Sequence, residues 1–323
     1  MNMKSISKNP KRINKLVKIK LDIDSKSASD AKTVGYYSKI FLTATLPHSK
    51  PKQHYFQRTN GNFTMSMIGN PKYGLPYGSL SRVFLAWMVR EVKLRKSPIL
   101  HLGRLSEFLT ALNLSRSGGE RGDITRLRDQ MLRLFSTQIS CAYTDEKIGR
   151  TRADQFLITQ SFDIWWNPLN GQTADNLDKS VITLSQNFYE ELKANTVPID
   201  TRMLEALRGS PLQIDIYTWL TYRFSYLKKP SNISWKALAF QFGSNSHYAS
   251  TSQGLRDFKR EFKKALDIVK AMYCSANVKI LDTGIRLLPS PTHIRKSKNN
   301  EILKLSTEEM ISTDMLDLES YPR

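Results

Sequence analysis

The sequence is poor in cysteine. Its 323 residues contain only Cys141 and Cys274. Two thiols so far apart give neither a disulfide framework nor a zinc-ligand spacing. They read as small, partly buried hydrophobes in a reducing compartment. Long apolar runs are also missing. The longest candidate, Val83 to Val92, is interrupted by Arg90 and Glu91, well short of the about 20 residues of a membrane span. The N-terminus is basic but lacks an apolar h-region, so no secretory leader is expected. These absences predict a cytoplasmic protein with no membrane partner.

Catalytic signatures are absent as well. The histidines, at positions 48, 54, 101, 247 and 293, form no His-x-His or His-Glu-x-x-His pair. There is no phosphate-binding P-loop and no Gly-x-Ser-x-Gly elbow. The adjacent carboxylates Asp145 and Glu146 fall in a polar turn, where a solvated pair is expected. Trp165-Trp166 reads as packing or an interface. The sequence therefore predicts no enzyme, no catalytic residues, no metal ligands and no cofactor.

Negative charge is scarce. Lys and Arg total 49 against 29 Asp and Glu, a net charge of +20. The excess is uneven: residues 1–60 hold 13 bases and 3 acids, whereas residues 292–323 hold 5 and 6. A chain of this balance suits a polyanion, because each neutralised phosphate releases counterions.

Residues 1–57 read as a basic, largely flexible arm. Lys4, Lys8, Lys11, Arg12, Lys15, Lys18 and Lys20 come with no acid among them, and only Ile13, Leu16 and Val17 suggest a short amphipathic turn. A strand is predicted at 64–68. A helix follows, capped by Ser79, with Val83, Phe84, Trp87, Met88 and Val92 on one face. A short helix at 104–112, a helix at 124–135 capped by Asp123, and strands at 138–143 and 155–164 complete a unit spanning 58–166. Residues 167–208 read as linker and connector, with helices capped by Ser185 and Asp200. The second unit, 209–291, has a helix at 211–226, a short helix at 235–242 capped by Ser234, a long helix at about 252–271, and a hairpin turning at Asp282-Thr283-Gly284. Residues 292–323 form an acidic tail.

The two units share an element order and faint sequence echoes. Ala86-Trp87 answers to Thr218-Trp219, Lys96-Ser97-Pro98 to Lys229-Pro230, and Leu127-Arg128-Asp129 to Leu255-Arg256-Asp257. Helix, helix, turn, helix and hairpin describe a winged helix, whose third helix can enter the major groove. The predicted fold class is α+β: two tandem winged-helix domains between a basic N-terminal arm and an acidic C-terminal tail.

The two long helices differ in charge. At about 100° per residue, Leu255, Phe258, Phe262, Ala265, Leu266 and Val269 make one apolar stripe. Arg256, Lys259, Arg260, Lys263, Lys264 and Lys270 fill the adjoining arc, with Asp257 and Glu261 mostly on the far side and Asp267 intruding. Candidate DNA-binding residues are therefore His247, Tyr248, Ser250, Ser252 and Gln253 at the helix start, Arg256, Lys259, Arg260, Lys263 and Lys264 along it, and Lys279 and Arg286 on the hairpin. Gln pairs geometrically with adenine and Arg with guanine. The first unit offers fewer bases: Arg126, Arg128 and Arg133 on its helix, with Arg121 before it. Backbone contact or self-association suits it better than base reading.

These residues together resemble the plasmid-encoded RepA replication initiators of Gram-negative bacteria, of the broad-host-range type. The resemblance runs from about Arg58 to Pro291. It is carried by Arg58-Thr-Asn-Gly-Asn-Phe63, Asn70-Pro-Lys-Tyr-Gly-Leu-Pro-Tyr-Gly-Ser79, Gly122-Asp-Ile-Thr-Arg-Leu127, Pro198-Ile-Asp-Thr-Arg202, Tyr217-Thr-Trp-Leu-Thr-Tyr-Arg223 and Phe258-Lys-Arg-Glu-Phe-Lys-Lys264, ending in Leu288-Pro-Ser-Pro291. It implies binding to iteron repeats in duplex origin DNA, duplex opening, recruitment of host helicase or primase, copy control and a possible homodimer. It implies no role for the arm or the tail. The alternative expectation is a winged-helix transcriptional repressor, autoregulatory or not, without initiator activity.

Overall fold

The computed structural model describes residues 10–114, 122–146, 148–165, 179–243 and 247–294, with the side chains of His247 and Ala249 also left out. Arg121, residues 167–178 of the predicted linker and residues 295–323 of the tail lie outside the described residues.

Helix and strand are mixed throughout, an α+β arrangement. The first stretch holds α1 (Pro10–Ser25), β1 (Val34–Ser38) and α2 (Ile40–Thr43). This corrects the expectation of a flexible arm for residues 10–57. Leu16 and Ile19 are buried, Lys15 pairs with Glu205 at 3.0 Å, and Arg12 donates to Gln213 at 3.1 Å. Tyr37, Phe41 and Leu42 are buried in the core, and β1 pairs antiparallel with β9 (Thr196–Asp200). Composition favoured disorder; the apolar spacing of α1 and the aromatic run after it supplied enough buried surface to overcome it.

Then come β2 (Tyr55–Asn60), β3 (Phe63–Ile68), α3 (Gly78–Arg95), β4 (Ile99–His101), α4 (Leu105–Ala111), α5 (Asp123–Phe135), β5 (Gln138–Asp145), β6 (Arg150–Leu157) and β7 (Thr159–Asp163). The strand predicted at 155–164 is two strands. β6 belongs to the four-stranded sheet β2-β3-β5-β6, while β7 joins β4-β8-β7, with β8 at Val181–Leu184. Then α6 (Gln186–Ala194), β9 and α7 (Thr201–Leu207) lead to α8 (Pro211–Tyr226), β10 (Ser231–Ser234), α9 (Trp235–Phe242), α10 (His247–Ser250), α11 (Ser252–Met272), β11 (Val278–Ile280) and β12 (Gly284–Leu287).

Side-chain caps start several helices. The Ser185, Asp200 and Ser234 side chains accept from the amides of Phe188, Arg202 and Ala237, satisfying donors that a helix start leaves open. Ser79 and Asp123 are not caps. They lie inside their helices, and the cap positions are Tyr77 and Gly122, without a side-chain bond.

The element order α3-β4-α4-α5-β5-β6 recurs as α8-β10-α9-α11-β11-β12, with α10 inserted between α9 and α11, but the pairing differs. β10 closes onto β12 in a three-stranded sheet, order β10-β12-β11. In the first half, β3 occupies the side of β5 away from β6, and β4 pairs with β8 instead.

One hydrophobic core runs through both halves, and a buried polar cluster crosses it. Arg82 of α3 is fully buried and gives all five of its N–H donors. Nε and Nη2 reach the two carboxylate oxygens of Asp215 on α8 at 2.6 and 2.7 Å, and Nη1 and Nη2 reach the carbonyls of Pro47, Gly78 and Leu46. Arg58 holds the carbonyls of Thr45 and Gln241, and Gln241 donates to Leu42. Residues 42–48 thus strap the halves together.

His48 sits 2.8 Å from Asp215 through Nε2. Burial pushes its pKa down from 6.5 to about 4 against the pull of that carboxylate. Between those values the unfolded chain binds the extra proton. Stability from this group is therefore complete above about pH 6.5 and falls as pH drops toward about 4. His48→Gln should flatten that limb, read as urea midpoints between about pH 7 and 5. An unchanged slope would clear His48 of this role.

Candidate nucleic-acid interface

α11 carries a concentration of base on a defined face. Thr251 caps it, accepting from the amide of Gly254 at 3.0 Å. Phe258, Phe262, Ala265, Leu266, Ile268, Val269 and Met272 are buried, and Phe262 packs on Trp235 and Phe242. That stripe fixes which side of the helix meets water. Arg256, Arg260 and Lys264 are exposed, with Ser252 and Gln253 at the leading end. Lys259 and Lys263 are half-buried, their ammonium groups 5.8 and 5.5 Å from the centre of the Trp235 ring. Lys270 is spent on structure: Nζ donates to the Val278 carbonyl at 2.9 Å.

The acids are closer to this face than the angular reading placed them. Asp257 pairs with Arg260 at 2.8 Å and accepts from Gln253 at 3.1 Å, and Gln253 in turn accepts two bonds from Arg256. The leading face is therefore a polar chain, Arg256–Gln253–Asp257–Arg260, with its guanidiniums held in place. An exposed pair of this kind is worth about 0–1 kcal/mol, so a phosphate or base edge can take over either arginine.

Of the other predicted residues, Tyr248 is engaged with α11, its ring 5.9 Å from Phe258 and its hydroxyl donating to Glu261 at 2.9 Å. Ser250 is exposed. The His247 backbone lies in α10, but its side chain is outside the described residues. Lys279 and Arg286 are exposed and directly opposite one another on β11 and β12. Trp235, which joins the basic helix to the hairpin, was not singled out from sequence. The four-residue spacing of Lys259 and Lys263 was the available signal, since both reach one ring.

In the first half the equivalent surface is thinner. Arg126 is 61% exposed, 3.8 Å from Asp123, and Arg128 is half-buried. Arg133 is a correction. It is 9% exposed, paired with Asp129 at 2.8 Å, donating to the Leu75 carbonyl and stacked over Tyr77. The cause is local: α5 is enclosed at its C-terminal end, where Gln130 also accepts from Ser81 and the Tyr77 amide.

A family model described as plasmid encoded RepA protein matches residues 75–237, which is 163 of the 323 residues. The matched segment covers α3 through the first turn of α9 and ends before α11. No curated protein matches the chain. Among solved structures, a crystal structure of domain 2 and domain 3 of RctB is similar at 16% identity, covering 67% of this chain and 80% of that chain, with a TM-score of 0.42.

Proposed function

Because the chain belongs to the plasmid encoded RepA protein family, we propose that it is a plasmid replication initiator that binds iteron repeats in duplex origin DNA. The carrying observation is α11, with a buried apolar stripe, an exposed basic face, and a hairpin bonded to it. In this reading residues 58–166 and 209–291 are two winged-helix domains. The second reads the site, with α11 in the major groove and Gln253, Arg256 and Arg260 nearest the base edges. Arg126 and Arg128 of the first contribute phosphate contacts. Binding free energy and DNA deformation then open the duplex. Recruitment of host helicase or primase in a bacterial cytoplasm, and copy control, belong to the same proposal and rest on the family alone.

Self-association belongs to it too, and one surface supports this. The outward positions of β2, β3, β5 and β6 carry no charged residue, in a chain of net charge +20. One row across that face is Tyr55, Ile68, Gln138 and Leu157, and its three apolar members are about half exposed. A charge-free, partly apolar sheet face suits the centre of an interface. Ile68→Glu should shift dimerisation to higher concentration in sedimentation equilibrium. An unchanged association constant would place the dimer contact elsewhere.

A nuclease footprint on the plasmid's own DNA tests the main reading. Regularly phased protected repeats beside an AT-rich tract are expected. A single protected inverted repeat over a promoter would convert the reading to a repressor, and no protection would end it.

A further inference from the structure

The hairpin beside α11 ends in an apolar tip. Ile280, the last residue of β11, and Leu281, which follows it into the turn, are 40% and 36% exposed, where a polar residue is the ordinary choice in a turn.

The tip is rigid. Leu281 N donates to the Gly284 carbonyl at 2.8 Å, and Trp235 N to the Thr283 carbonyl at 3.0 Å. Trp235 Nε1 donates to the carbonyls of Leu281 and Asp282 at 3.2 and 3.0 Å. A Cβ on Gly284 would lie 1.9 Å from the Ile233 carbonyl oxygen, so only glycine lets the turn close against β10. Trp235 itself is 2% exposed. The same ring carries Lys259 and Lys263, so the apolar tip and the basic face of α11 are built on one tryptophan.

The flanks of the tip are cationic. Lys279 and Arg286 face each other across the strands, an arrangement that costs stability in a free hairpin and gains from a polyanion. The one acid at the tip, Asp282, gives the tip itself no attraction to phosphate, which leaves its side-chain contribution to Ile280 and Leu281.

We propose that Ile280 and Leu281 form an apolar wedge that enters the minor groove beside the site covered by α11 and unstacks one base step. The wedge rests on the duplex-binding reading above and adds to it a place where the DNA is deformed. Rigid apolar side chains inserted between base pairs kink a duplex, and flexible pyrimidine–purine steps take such a kink most easily.

The test uses the full chain and a duplex recovered by that chain from random-sequence DNA, with 2-aminopurine placed at successive positions. The wild-type chain should raise emission at one step flanking the groove that α11 covers. I280S/L281S should still shift the duplex but lose most of that rise, and Leu281→Met should keep it. An equal rise with I280S/L281S bound overturns the wedge, and so does no rise with wild-type bound. If the wild-type chain recovers no duplex, duplex binding itself has failed and the wedge falls with it.

Discussion

Replacing Arg82 by methionine is expected to destabilise the folded chain by about 3–5 kcal/mol, the usual cost of removing one partner from a buried ion pair. All five guanidinium donors are bonded, two to Asp215 and three to the carbonyls of Leu46, Pro47 and Gly78. Their loss leaves a carboxylate that is 1% exposed, with His48 as its remaining side-chain hydrogen-bond partner among the described residues. The double change Arg82→Met with Asp215→Leu should recover part of the loss, because it removes both charges from the interior together. A double-mutant cycle from urea unfolding reads the coupling directly. The pair also joins α3 to α8, so the two halves should unfold in one transition. A loss below about 1 kcal/mol for the single change, in the range of an exposed pair, would show that the cluster does not lock the halves.

The second large effect is expected at the leading face of α11. Arg256→Ala or Arg260→Ala should each weaken specific binding by about 1–3 kcal/mol and relax preference at one base position. Lys264→Ala should instead weaken all sequences alike and lower the salt slope by about one. Both arginines are exposed and, among the described residues, are held by neighbours on the same helix, so their loss should not unfold the chain. Arg126→Ala with Arg128→Ala should cost less sequence preference than either. Gel shifts across salt concentrations separate these outcomes. Unchanged affinity and preference for both α11 arginines would remove this helix from recognition.

Several helices were legible because a local signal marks their start. Ser234 precedes Trp235 and Asp200 precedes Thr201, and both caps accept a backbone amide. The apolar period of α11 is equally local. Arg133 shows the limit of that reading. Its position on α5 is a matter of helical angle, but its burial depends on Leu75 and Tyr77, which arrive from the loop before α3. The arm shows the same limit from the other side. Charge density along residues 1–20 says nothing of α7, whose Glu205 and Arg202 meet Lys15 and Asp22.

The sequence alone determined the mixed helix and strand content, the net positive charge, and the pairing of an apolar with a basic face on the helix after Thr251. Those properties need only neighbours within a few turns of chain. Only the tertiary structure decided that β4 joins β8 rather than β6, that residues 42–48 strap the halves through Arg82, Asp215 and Arg58, and that Trp235 sets the hairpin tip beside Lys259 and Lys263. Each of these depends on groups far apart in sequence meeting in a low-dielectric interior, where an unpartnered charge or carbonyl is costly and the chain must bring a partner from wherever one exists.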